Sequence, residues 1–135
     1  MKKAVSVLFI IMVLAITGQA RAGQLLTYEP AVNEVKGTVV KGKFRHLNGQ
    51  WVKFWFLKLA TPAEIHADGV DDFNKSEDGI REIQLYSDEP ALRKLLDNCN
   101  EKRVIVSGTL YHQFTAWHVR TLVMDVQDIY LSPSR

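Results

Sequence analysis

Residues 88–111 read Asp-Glu-Pro-Ala-Leu-Arg-Lys-Leu-Leu-Asp-Asn-Cys-Asn-Glu-Lys-Arg-Val-Ile-Val-Ser-Gly-Thr-Leu-Tyr. Two periodicities meet here. Leu92, Leu95, Leu96 and Cys99 follow the i, i+3, i+4, i+7 spacing of a helix that buries one stripe. Asp88 is placed to cap that helix, Pro90 falls in its first turn, and Asn98 and Asn100 suit its end. From Lys102 to Tyr111 the period becomes two: Val104, Val106, Gly108 and Leu110 alternate with more polar positions, the pattern of a half-buried strand.

Working outward, the same logic predicts four more strands. Glu34 to Phe44 is valine-rich, with Gly37 and Gly42 as bend or bulge points. His46-Leu47-Asn48-Gly49-Gln50 follows, and Asn-Gly between two apolar runs is a hairpin signal. Trp51 to Ala60 is the second strand, Thr61 to Asp78 a long polar loop, and Gly79 to Tyr86 the third strand. Beyond the helix and the fourth strand, Thr121 to Leu131 is the fifth. The order β-β-β-α-β-β predicts a mainly β protein, an OB-fold-like five-stranded barrel with one helix. A small α+β sheet with one packed helix is the alternative.

The first 22 residues read as an export signal. Lys2 and Lys3 precede an apolar run from Ala4 to Ile16, and Ala20-Arg21-Ala22 is an A-x-A cleavage site. The run is shorter than the roughly 20 residues a spanning helix needs, so no membrane anchor is expected after cleavage. The organisation is then signal peptide 1–22, irregular lead-in 23–33, OB-fold-like domain 34–131 and C-terminal tail 132–135. A periplasmic or secreted location follows.

Cleavage changes the charge argument. The chain has 17 Lys and Arg against 15 Asp and Glu; Lys2, Lys3 and Arg21 leave with the signal, so 14 bases face 15 acids. A near-neutral mature domain offers no basic stripe, and nucleic acid is not an expected partner. The one cysteine, Cys99, allows no internal disulfide, and its place on the helix stripe makes it a core residue.

Most of the chemistry-bearing residues gather in Gly108-Thr-Leu-Tyr-His-Gln-Phe-Thr-Ala-Trp-His-Val-Arg-Thr121, the connection between the last two strands. Gly108, Thr109, Leu110, Tyr111, His112, Thr115, His118 and Thr121 resemble the signature of a family of exported bacterial proteins, DUF4431, a domain of unknown function. Tyr28-Glu29-Pro30, Leu57-Lys58-Leu59 and Ile83-Gln84-Leu85 are weaker echoes. Trp117 stands where the family tends to carry a second histidine, and Ala63-Glu64-Ile65 is less apolar than its pattern. The resemblance implies export and an OB-like fold, but no reaction.

In OB-folds the loops after strands one and four flank the usual binding face. His46 lies in the first such loop, and His112 to His118 in the second; Trp51, Lys53 and Trp55 share one parity of strand two. The candidate ligand or partner face is Trp51, Trp55, His112, Thr115, Trp117 and His118. Leu57 and Leu59 share the parity of Trp51 and Trp55, so the barrel interior competes for those two rings. His46, His112 and His118 are weak metal candidates, since imidazole suits zinc or copper but two histidines six apart give two ligands. Alternatively the histidine and threonine side chains pin the loop. The acids Glu64, Asp68, Asp71, Asp72, Glu77 and Asp78 lack the spacing of a calcium loop. No G-x-S-x-G, H-E-x-x-H, P-loop or dinucleotide fingerprint is present, so no catalytic residue and no cofactor is assigned. The expectation is a non-catalytic binding module for a protein partner in the cell envelope, as an inhibitor or immunity factor, with glycan binding or histidine-based metal binding as alternatives.

Overall fold

A computed structural model describes residues 23–133. The segment read as a signal peptide and the end of the C-terminal tail lie outside the described residues. Among the described residues six strands and one helix follow in order: β1 (Gln24–Leu26), β2 (Val32–Arg45), β3 (Trp51–Ile65), β4 (Glu77–Tyr86), α1 (Pro90–Asn98), β5 (Arg103–His112) and β6 (Leu122–Leu131).

Five strands close a ring through hydrogen bonds. β2 pairs with β3, β3 with β4, β4 with β6, β6 with β5, and β5 with β2. All pairs are antiparallel except β4 with β6. This is the barrel expected from the order β-β-β-α-β-β, with OB-like architecture. Its interior holds Val35 and Val39 of β2, Leu57 of β3, Ile83 and Leu85 of β4, Val104, Val106 and Leu110 of β5, and Leu122 and Met124 of β6. Leu92, Leu96 and Cys99 of α1 pack on the same core.

Several local expectations are corrected. The lead-in 23–33 is part of the barrel: β1 adds to β3 in parallel, and Leu26 and Tyr28 are buried. β3 runs on to Ile65 because Ala63 and Ile65 alternate inward past Pro62, where the pairing with β4 shifts register. The polar loop is therefore shorter, and β4 begins at Glu77. Gly37 and Gly42 are not bulges, since both sit in unbroken register with β3. They are glycines because of close approach. A Cβ on Gly37 would stand 2.5 Å from the Lys58 carbonyl oxygen, and one on Gly42 would stand 2.7 Å from the Phe54 ring.

Asp88 does not cap α1. Glu89 occupies the N-cap without a side-chain bond, Asp88 accepts the Tyr86 hydroxyl, and Ser87 Oγ accepts the Glu89 N–H. The stripe is also narrower than read, because Leu95 is exposed. Asn100 Oδ1 accepts the Lys41 N–H at 3.0 Å and so ties the helix exit to β2.

Candidate functional site

The β2–β3 hairpin turns as the Asn-Gly signal predicts. Gly49 takes φ +89°, its N–H donates to the His46 carbonyl, and His46 N–H donates to Gln50 O. The turn carries His46 to the β5–β6 loop, where its ring stacks on Trp117 with centroids 3.8 Å apart. His46 Nδ1 accepts the Asn48 N–H, while its buried Nε2 has no partner. The two loops flanking the expected OB binding face thus meet through an aromatic stack.

The β5–β6 loop is closed by its own polar groups. His118 Nδ1 accepts the N–H groups of Phe114 (3.1 Å) and Thr115 (3.3 Å). Thr115 Oγ1 accepts the Trp117 N–H, and Gln113 Nε2 donates to the His118 carbonyl. Two acceptor bonds at Nδ1 place the ring proton of neutral His118 on Nε2. Burial lowers its pKa below the ordinary histidine range, so the ring favours the state this geometry needs. Phe114 stands edge-on to His118, with centroids 4.9 Å apart.

One buried amide holds this loop onto the outer face of the sheet. Gln84 of β4 donates through Nε2 to the Trp117 carbonyl (3.0 Å) and accepts the Val119 N–H at Oε1 (2.7 Å). Arg120 follows, with Nε 2.7 Å from Glu82 Oε1 and its guanidinium over Phe54 and Phe56. Phe44 meets Phe54 edge-on, so the outward side chains of β2 and β3 form an aromatic layer.

Between loop, layer and helix lies a cleft of about 610 Å³. Of the predicted face, Trp55, Thr115, Trp117 and His118 line it. Trp55 is half-buried against the core, and its Nε1 donates to Asp97 Oδ1. Trp51 does not line the cleft; it is 67 % exposed at the start of β3. His112 also lies away from the cleft, with Nε2 2.8 Å from Glu77 Oε2 and its N–H bonded to Asn74 Oδ1. The metal candidates His46, His112 and His118 are not brought together, and no group of three or more His, Cys, Asp or Glu residues with metal-binding geometry occurs among the described residues.

Sequence reasoning missed Phe44, Phe54, Gln84 and Arg93, which also line the cleft. The phenylalanines had a signal: Val52, Phe54 and Phe56 put more apolar surface on an outward parity than a solvated strand requires. Gln84 had none, because its burial depends on a loop about 35 residues further along the chain.

The cleft is mostly apolar, with a few converging polar groups, and its volume lies in the range of ligand sites. Tyr111 shares its wall, and burial pushes that hydroxyl up to about 12, so it stays a neutral donor at physiological pH. No curated protein matches the chain. Residues 82–130, from β4 through the β5–β6 loop to the end of β6, match the family described as a domain of unknown function (DUF4431), the family that the His-Thr segment resembles.

Proposed function

We propose that this chain is an exported, non-catalytic OB-fold binding module of the bacterial periplasm whose cleft receives part of a protein partner, as an inhibitor or immunity factor does. The observation that carries this reading is the cleft itself, walled by Trp55, Trp117, Phe54 and Tyr111. Aromatic side chains in concave sites bury large areas at low entropic cost and dominate interface energies. The exposed apolar residues Leu47, Trp51 and Phe114 lie on the same two loops and the strand between them. Such surface is what a partner covers.

The test is capture of partners from periplasmic extract with the wild-type protein and with a Trp117→Ala, His118→Ala double variant. The wild type is expected to retain a stoichiometric partner that the folded variant loses. Identical partner sets would remove the cleft from the function. A glycan-binding module is the second reading, favoured by the half-exposed Trp117 ring, whose face could stack on a sugar. In that case capture is displaced by soluble oligosaccharide.

A further inference from the structure

The charged side chains of the cleft are of one sign. Lys53 and Arg93 line it, and no carboxylate does. Both are exposed, and neither takes part in an ion pair or side-chain hydrogen bond among the described residues. Two acids bonded to lining residues are already engaged. Asp97 accepts Lys41 Nζ at 2.8 Å and Trp55 Nε1 at 3.0 Å, and the Lys41 bond is the main reason its pKa lies below the usual carboxylate range. Asp88 accepts the Tyr86 hydroxyl.

Two unpaired cations on an aromatic-walled cleft are complementary to a group that is apolar at one end and anionic at the other. Resting on the binding-module reading, we infer that the cleft takes a peptide segment of the partner in which an aromatic side chain sits beside a carboxylate. The ring enters between Trp55, Phe54 and Trp117, and the carboxylate meets Lys53 and Arg93. A peptide fits better than a free sugar acid because Leu47 and Trp51, on the neighbouring hairpin and strand, are 90 % and 67 % exposed. A protein partner covers them, whereas a small ligand leaves them in water.

The experiment titrates the mature protein, isotopically labelled, with acetyl-Phe-Asp-amide, acetyl-Phe-Asn-amide and glucuronate at about millimolar concentrations. The Asp peptide is expected to shift the indole N–H signals of Trp55 and Trp117 and to bind about tenfold more tightly than the Asn peptide, a difference of about 1.4 kcal/mol. A Lys53→Gln, Arg93→Gln variant, with both changes on exposed side chains, is expected to abolish that preference while keeping the folded spectrum. Equal binding of the two peptides, no binding of the Asp peptide, or an unchanged preference in the variant would each overturn the inference. Glucuronate binding as tightly as the Asp peptide would replace the peptide with a sugar acid. Partner capture separates the layers: loss with Trp117→Ala, His118→Ala but not with Lys53→Gln, Arg93→Gln sinks the anionic segment and leaves the binding module standing.

Discussion

Two loops flank the barrel, and each is held by one buried amide, but the amides come from opposite sides of the contact. In the loop 66–76 the amide belongs to the loop itself, beside a bond from the buried Tyr28 hydroxyl to the Lys75 carbonyl. Asn74, 4 % exposed, accepts the His112 N–H of β5 and donates through Nδ2 to Asp68. In the loop 113–121 the anchor belongs to the barrel: Gln84, 6 % exposed, reaches out of β4 to two backbone groups of the loop. Inside each loop one side chain accepts two backbone N–H groups. In one it is the Asp68 carboxylate, which takes Val70 and Asp71; in the other it is the His118 imidazole, which takes Phe114 and Thr115. The architecture is parallel, but one acceptor is a carboxylate and the other a neutral imidazole. Only the histidine loop presents side chains to the cleft.

Cutting the two anchors breaks the comparison most sharply. Asn74→Ala removes one donor from Asp68 and leaves the His112 N–H without its partner, and the loss at His112 is expected to cost about 1–3 kcal/mol in denaturant unfolding. Gln84→Ala frees two neutral backbone groups of a loop that can swing out to water, so about 1–2 kcal/mol is expected. Partner capture should fall only with Gln84→Ala, because only that loop forms the cleft wall. A Gln84→Ala protein that keeps full capture would separate the loop's position from binding.

The sequence made the barrel legible because its evidence is local. The helix stripe Leu92–Leu96–Cys99, the alternation Val104–Val106–Leu110 and the Asn-Gly turn each follow from neighbours along the chain. The site was half legible for the same reason. Thr115, Trp117 and His118 are conspicuous in a connection that needs none of them, and the shared parity of Trp51, Lys53 and Trp55 pointed to Trp55 even as the barrel interior competed for it. Trp51 shares that parity but lies at the open end of β3, beyond the core. His112 reads like His118, yet β5 continues through it, which turns it towards Glu77 and away from the loop. Gln84, Arg93 and the Phe44–Phe54 layer depend on which strands and loops lie side by side, and periodicity carries no such information.

A smaller effect is expected where the two binding-face loops touch. Trp117→Ala removes the stack on His46, and such pairs contribute about 0.5–1.5 kcal/mol beyond area. His46 Nε2 is buried without a partner, and its N–H gains water if the truncation uncovers it. The two terms oppose each other, so the free energy of unfolding should drop by less than about 1 kcal/mol. The His46 ring protons should lose the upfield shift that the indole imposes. An unmoved His46 spectrum would show that the stack does not persist in solution.

The smallest change in global stability should be the most selective, because it depends on pH alone. The hydrogen bond from Asn74, together with those from Val70 and Asp71, holds the Asp68 carboxyl below 3.8. Its contribution is therefore present above that value and lost only as pH falls further. Burial holds His118 below 6.5, so its contribution is full above 6.5 and lost as pH falls through the lowered value. Protonation puts a hydrogen on Nδ1, where the N–H groups of Phe114 and Thr115 now donate, and both bonds are broken. As pH falls from 6.5 towards 3.8, the cleft loop should loosen before the acidic loop opens. Amide exchange should report this directly. Phe114 and Thr115 should lose protection between neutral and mildly acidic pH, once the intrinsic slowing of exchange is corrected, while Val70 and Asp71 keep theirs. A His118→Asn variant, whose side-chain oxygen accepts at any pH, should flatten the first response and leave the second unchanged; if it does not, the imidazole is not the acceptor that sets the loop's order.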